Sequence, residues 1–266
     1  MTKDIGGVRA HWEVLGSAGE TLLLLHGWGP GTVSLQSHMK PLALSLKDNF
    51  RVYMLDFPGH GESGMPPSDW GVPEYARWTL QVMDELALPR ASLVAHSFGG
   101  RVALWLAANH PDRVEKLVLT GCAGLRPRRP MASRARALLF KLGRAGLGAA
   151  GLVPTLRPRA QAALAKLRAE FASADYLATP ERLRAGFSNI VRQDLLPLLP
   201  KIRQPVLLVW GENDTATPLW MAREMEENLA DARLLVYAAD DHWAYLNQLA
   251  RFVTAAEVFL TGGAPL

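Results

Sequence analysis

The sequence predicts an α/β protein: a mostly parallel central sheet flanked by helices, with a helical insertion between two core strands. Three observations carry this. Short apolar runs alternate with longer helical stretches along the chain. Several runs, such as LLLLH ending at His26 and VLLVW ending at Trp210, are continuously apolar. A strand covered on both faces reads that way, whereas a strand with one wet face alternates. Finally, the alternation lapses between about Cys122 and Val191 and resumes at Pro205.

Taken in order, the expected strands are Val8–Val14, Thr21–His26, Arg51–Asp56, Ala91–His96, Lys116–Thr120, Val206–Trp210 and Leu234–Tyr237. An antiparallel start fits the N-terminal region. Expected helices run over Trp70–Leu88, Gly99–Asn109 (ended by Pro111), Pro218–Leu229 and Leu246–Leu260. Residues 122–190 hold no convincing strand, are rich in Ala, Leu and Arg, and carry helix-ending residues at Gly148, Pro154 and Pro158. The expected organisation is therefore a core of residues 1–121 and 191–266 with a helical lid at 122–190.

Composition bounds the function. The chain has 266 residues, 49% of them apolar and 20% charged, enough for one sizeable core and unlike a disordered or fibrous protein. Its one cysteine, Cys122, excludes an intramolecular disulfide and a cysteine-based metal site. A net charge of +4 does not by itself imply nucleic acid. No apolar span of membrane-crossing length and no leader pattern is visible, so a cytoplasmic location is the default expectation. There is no GxxxxGK[ST] loop, no HExxH and no zinc spacing, and no cofactor or metal is implied.

The sharpest chemical signal is Ala95-His96-Ser97-Phe98-Gly99-Gly100, where an apolar strand turns into a helix with serine at the turn. Such a turn pushes the serine into a strained backbone conformation, so the residues two before and two after must be small, as Ala95 and Gly99 are. The plainer account is a helix-capping serine. A second signal is His26-Gly27-Trp28-Gly29-Pro30-Gly31 at the end of another strand. Glycine-rich backbone there lets N–H groups turn towards an oxyanion, and the candidate donors are the amides of Trp28 and Phe98.

A serine needs a general base. Of seven histidines, His242 is the best placed, in the loop between the last strand and the closing helix. His11 falls in the first strand, His38 and His110 in helical regions, His26 before the glycine loop and His60 in a turn. His96 abuts Ser97, so its side chain projects elsewhere. The base needs a carboxylate to fix its tautomer. Asp214 lies just beyond the end of VLLVW, with Glu212 as the nearby rival; Asp240 and Asp241 sit too near His242 in sequence to clamp its ring. Trp220 and Trp243, near the acid and base loops, suit either a pocket wall or the core.

With HGWGPG, DFPGHGES (Asp56–Ser63), AHSFGG, GENDTATP and DHW in hand, the chain resembles the α/β-hydrolase fold superfamily over essentially its whole length. The resemblance implies Ser97 as nucleophile, Asp214 as acid and His242 as base, with the Trp28 and Phe98 amides as oxyanion hole. DFPGHGES would shape the pocket floor. Ala95 stands where glycine is commoner, and Asp240-Asp241 where Gly-x-Gly often precedes the histidine. Serine at position 97 disfavours the dehalogenase-like and epoxide-hydrolase-like branches, which attack with aspartate.

The resemblance leaves ester or thioester hydrolysis, with carbon–carbon hydrolysis as competitor. HGWG with serine resembles carboxylesterases acting on pimeloyl-type acyl carriers; GPG, and HWA after the base, look like hydrolases of meta-cleavage products, which usually carry Asn-Ser-Met at the elbow. A receptor-like member with slow turnover and a perhydrolase-like activity are further alternatives. From Arg126 to Arg168 there are eleven basic residues and no acidic one. Such a segment would attract an acidic substrate, an acyl-carrier protein or an anionic membrane surface; a solvated helical face is the plainer account.

Overall fold

The computed structural model describes residues 1–126, 142–143, 145–147, 149, 152–171 and 174–262. They form two compact units: Met1–Leu125 together with Glu181–Leu266, and Arg126–Pro180. The first holds the sheet. Its strands are β1 (Thr2–Ile5), β2 (Val8–Leu15), β3 (Thr21–Leu25), β4 (Arg51–Asp56), β5 (Ala91–His96), β6 (Val114–Thr120), β7 (Val206–Gly211) and β8 (Ala232–Tyr237). They lie in the order β1-β2-β4-β3-β5-β6-β7-β8. The pairings β1–β2 and β2–β4 are antiparallel and the rest parallel.

The helices of this unit are α1 (Lys40–Leu46), α2 (Val72–Glu85), α3 (Phe98–Asn109), α6 (Glu181–Arg192), α7 (Leu219–Asn228), α8 (Ala244–Asn247) and α9 (Leu249–Leu260). The second unit carries α4 (Arg157–Phe171) and α5 (Ala174–Ala178). Strand β3 shows why the apolar runs are unbroken. Leu23 and Leu25 enter one core layer with residues of α2, α3 and α7, while Leu22 and Leu24 enter the other with residues of α1 and α9. Successive side chains point to opposite faces, and both faces are covered.

Helix α1 lies outside the expected helices, the expected closing helix is divided into α8 and α9, and β1 and α6 also depart from the sequence expectation. Strand β1 is polar and its first three residues are exposed, so no apolar pattern marks it. Its signal is the Gly6-Gly7 pair, with φ of 60° and 77°, the two-residue turn that matches the twist of a hairpin. Helix α6, inside the expected lid span, belongs to the sheet-bearing unit. It buries Leu183, Phe187 and Ile190, a helical spacing along one face, and Gly186 packs on the Trp70 backbone.

In the second unit, Arg157 and Arg159 are exposed. Six members of the basic segment, Arg128, Arg129, Arg134, Arg136, Lys141 and Arg144, lie outside the described residues. Among the described residues no helix is long and apolar enough to cross a membrane.

The order of strands reverses between β3 and β5, which are neighbours whose following connections run to opposite sides. Crevices for ligands open at such switch points, beyond the carboxyl ends of the strands. The loop after β3 begins at His26 and the turn after β5 holds Ser97, so both glycine-rich motifs emerge there. The two-layer core sets one expectation. Leu24→Ala removes a fully buried side chain and should cost about 2–5 kcal/mol in urea unfolding. Leu44→Ala, on the exposed face of α1, should cost under about 0.5 kcal/mol. Equal midpoints for the two variants would contradict the layer assignment.

Candidate active site

Ser97 has φ 50° and ψ −109°, a region that side-chain-bearing residues rarely occupy and that costs of order 1–3 kcal/mol. Neighbouring strands hold it there. Its N–H donates to Thr120 O at 3.1 Å, and its carbonyl accepts the Ala123 N–H at 3.1 Å. A Cβ on Gly99 would lie 2.3 Å from Leu25 O, so nothing larger than glycine fits two residues after the serine. Gly100 faces Cys122, whose Sγ would lie 2.2 Å from an added Cβ. The capping account fails: the Ser97 side chain caps no backbone group of α3. Its hydroxyl also makes no hydrogen bond to His242 in this structure; such contacts in ligand-free sites commonly tighten only when substrate arrives.

The loops that carry Asp214 and His242 meet. His242 Nδ1 lies 2.8 Å from Asp214 Oδ2, with Asp214 buried. Oδ1 of Asp214 accepts the N–H groups of Ala216 and Thr217 at 2.9 and 2.8 Å. The Thr217 hydroxyl lies 2.7 Å from Oδ2 and 3.1 Å from Gly121 O, and its oxygen lies 3.3 Å from His242 Nδ1. Burial works to raise the Asp214 pKa. The hydrogen bond and charge of His242, and the Thr217 donors, outweigh it, and the net direction is down. The carboxylate is therefore ionised at neutral pH, and Nδ1 carries the proton it accepts. Gly121, at φ 49°, brings the end of β6 against the pair, an added Cβ lying 3.0 Å from His242 Nδ1.

The rival carboxylates are turned away from the imidazole. Glu212 accepts the Ala239 N–H at 3.1 Å. Asp240 accepts from Asn247 at 2.8 Å and from Gln248. Asp241 accepts the Trp243 N–H at 2.8 Å and Asn247 Nδ2 at 3.1 Å. The two acidic residues beside His242 thus brace the entry to α8. Gly211 seals the Asp214 loop to the His242 loop: an added Cβ would lie 2.1 Å from Asp241 O, and Asn213 donates to Asp240 O at 2.7 Å.

The glycine loop after β3 is ordered by histidines. Phe57 N–H donates to His26 Nε2 at 3.0 Å, so Nδ1 carries the proton and donates to Gly27 O at 2.7 Å. Gly27 O and the Trp28 N–H belong to one peptide plane, so fixing the carbonyl fixes the amide. Gly29 N–H donates to His60 Nε2 at 3.3 Å. Burial lowers the His26 pKa to about 4 and pushes that of His60 well below the usual histidine range, keeping both rings neutral. An added Cβ on Gly27 would lie 3.4 Å from Ser97 Cβ, which places this loop against the elbow. The Trp28 ring meets Phe98 edge-on at 5.3 Å and Phe187 at 5.3 Å. The Phe98 amide is the first of α3, where no preceding turn of helix offers an acceptor.

Beneath this, Asp56 of DFPGHGES is a buried hub. It accepts from Leu35 N at 2.7 Å and Glu62 N at 3.0 Å and pairs with His11 at 2.7 Å. Sequence reasoning passed over Thr217 and His96. Thr217 had a signal in Asp214-x-x-Thr217, the spacing at which an aspartate accepts from a turn three residues on. Trp243 stacks on His96 at 4.6 Å and on His38 at 4.7 Å, and Trp220 packs half-buried against the core.

Removing the Thr217 hydroxyl isosterically tests the carboxylate network. Thr217→Val should lose about 1–3 kcal/mol of stability at pH 7. A depressed carboxylate contributes stability above its ordinary pKa and loses it as pH falls through the lowered one. In the variant the folded value rises towards normal, so the acid loss, which begins at the unfolded value in both proteins, should be smaller and should end at higher pH. Urea unfolding from neutral to acid pH measures both, and coincident curves for variant and wild type would contradict the assignment.

Comparison with known proteins fits this geometry. The model of the alpha/beta hydrolase fold family matches residues 20–249. A 2-hydroxy-6-oxo-6-phenylhexa-2,4-dienoate hydrolase of Comamonas testosteroni is 30% identical, over 97% of this chain and 93% of its own length. A pimeloyl-[acyl-carrier protein] methyl ester esterase of Nitrosomonas europaea is 31% identical, over 92% of this chain and 96% of its own. The solved enol-lactonase of Burkholderia xenovorans LB400 superposes with a TM-score of 0.71 at 26% identity, covering 98% of this chain and 100% of that one. With a fold, a family model and relatives in agreement, the chain belongs to the alpha/beta hydrolase fold family and is a hydrolase of that fold.

Proposed function

We propose that this hydrolase cleaves carboxylic esters or thioesters through an acyl-enzyme formed on Ser97. The observation that carries the reading is the buried Asp214–His242 pair at 2.8 Å beside a strained serine elbow. His242 Nε2 takes the Ser97 proton as Oγ attacks the acyl carbon, and the carbonyl oxygen becomes an oxyanion. The amides of Trp28 and Phe98 are its donors, and the N-terminus of α3 adds partial positive charge. The tetrahedral centre collapses, the bond to the leaving oxygen or sulfur breaks, and His242 returns the proton to it. A water then gives its proton to His242 and attacks the acyl carbon, and Ser97 leaves with that proton. Asp214 stays ionised throughout and stabilises the imidazolium.

Carbon–carbon hydrolysis is the second reading, favoured by the Comamonas relative, which matches over nearly the whole chain. Against it, position 96 holds a histidine turned towards the His242 main chain, where meta-cleavage hydrolases usually carry asparagine. Substrate linked to an acyl carrier falls within the ester reading, and the Nitrosomonas relative is named for one.

The test is hydrolysis of p-nitrophenyl esters from acetate to laurate, run beside 2-hydroxy-6-oxo-6-phenylhexa-2,4-dienoate. The proposal expects ester turnover with kcat/KM above that for the dienoate, and Ser97→Ala should lower it about 10⁴–10⁶-fold. Dienoate cleavage without ester turnover would transfer the assignment to the second reading. Folded protein that turns over neither, yet gains thermal stability from a ligand, would favour a receptor.

A further inference from the structure

His96 is fully buried at the end of β5, one residue before Ser97, and the hydrolytic scheme above gives it no task. It lies where three functional segments meet. Its Nε2 is 3.1 Å from the carbonyl oxygen of His242. An added Cβ on Gly27 would lie 2.8 Å from its Nδ1, so the glycine loop rests on the opposite edge of the ring. Its own backbone runs directly into the elbow. The rings of His242, Trp243 and Tyr245 surround it at centroid distances of 4.6, 4.6 and 4.8 Å.

The tautomer follows from these contacts. A carbonyl oxygen only accepts, so Nε2 carries the proton. Nδ1 is buried without a partner among the described residues, and it is then a bare lone pair; an N–H orphaned there would cost more. A second proton would face the His242, His38 and His26 rings. Burial first, and the nearness of those rings next, push the His96 pKa well below the histidine range. An apolar ring would fill this space more cheaply, so the Nε2–H bond to His242 is the feature that needs histidine.

We propose that His96 is a positioning residue: its Nε2–H holds the main chain of the base while its other edge seats the Gly27 loop. The base and the oxyanion donors thereby keep their register to the nucleophile on the same strand. The proposal rests on the serine-hydrolase reading for its kinetic consequence, and on contacts alone for its structural one.

His96→Phe keeps a ring but removes the donor, and His96→Gln keeps an amide donor near the Nε2 position. In His96→Phe, kcat on the best p-nitrophenyl ester should fall about 10- to 100-fold with KM little changed, since misplacing a catalytic group by about 1 Å costs that order. His96→Gln should recover most of the loss. Wild-type kcat in His96→Phe, a loss carried by KM, or a Gln variant no better than Phe would overturn the proposal. Histidine-labelled NMR of the wild-type protein is independent of any variant's folding. His96 should be Nε2-protonated and show no titration between about pH 5 and about pH 9. An Nδ1–H tautomer, or titration in that range, would overturn the proposal. If wild type hydrolyses no ester, the ester-hydrolase reading fails by itself. The proton between His242 and Asp214 then decides the structural claim: shifted in His96→Phe and retained in His96→Gln supports it, and unmoved in both refutes it.

Discussion

The site depends on one strained residue. Ser97 occupies a backbone conformation that the chain would leave if free, and it stays because β5, β6 and α3 determine its surroundings from three sides. The Thr120 carbonyl and the Ala123 amide fix its peptide groups, and Gly99 lets α3 come down onto the Leu25 carbonyl. A bulkier residue at either contact would relieve the strain by moving the elbow. Strain of this kind is characteristic of residues that the rest of the fold holds for chemistry.

Everything near the elbow is arranged by close backbone approach and by neutral histidines. Glycines at 27, 99, 121 and 211 mark places where loops touch with no room for a methyl group. Between them, His26 and His96 donate to main-chain carbonyls, and His60 accepts from a main-chain amide. A buried imidazole held neutral supplies a directed hydrogen bond without the cost of a buried charge. Two buried carboxylates are held by hydrogen bonds here: Asp214, which four donors surround, and Asp56, which accepts from the Leu35 and Glu62 N–H groups. Ser97 thus lies among fixed dipoles, the condition under which electrostatic stabilisation of an oxyanion is strong.

Much of this was legible in the sequence, for a physical reason. Continuous apolar runs identify doubly covered strands, so the loops carrying Ser97, Asp214 and His242 could be placed at strand ends, Ser97 by its small-residue turn and the other two by their position after strands. What was illegible depends on side-chain direction. The sequence cannot show that Asp240 and Asp241 turn away from His242 towards Asn247, or that His96 reaches across to the base loop. Strand β1 was missed because its residues are polar and only Gly6-Gly7 announces it. Helix α6 has an amphipathic face that periodicity detects, but periodicity does not say which unit that face packs on. The basic stretch after Arg126 was visible as charge, and charge alone does not name a partner.

The central claim is that Ser97, activated by the His242–Asp214 pair, is the nucleophile. Its most direct test is to treat the protein with an alkyl fluorophosphonate and locate the adduct by mass spectrometry. The account predicts one covalent phosphonyl group on Ser97, with labelling slowed strongly in His242→Ala. A folded protein left unlabelled, a label on another residue, or labelling indifferent to His242 would contradict it.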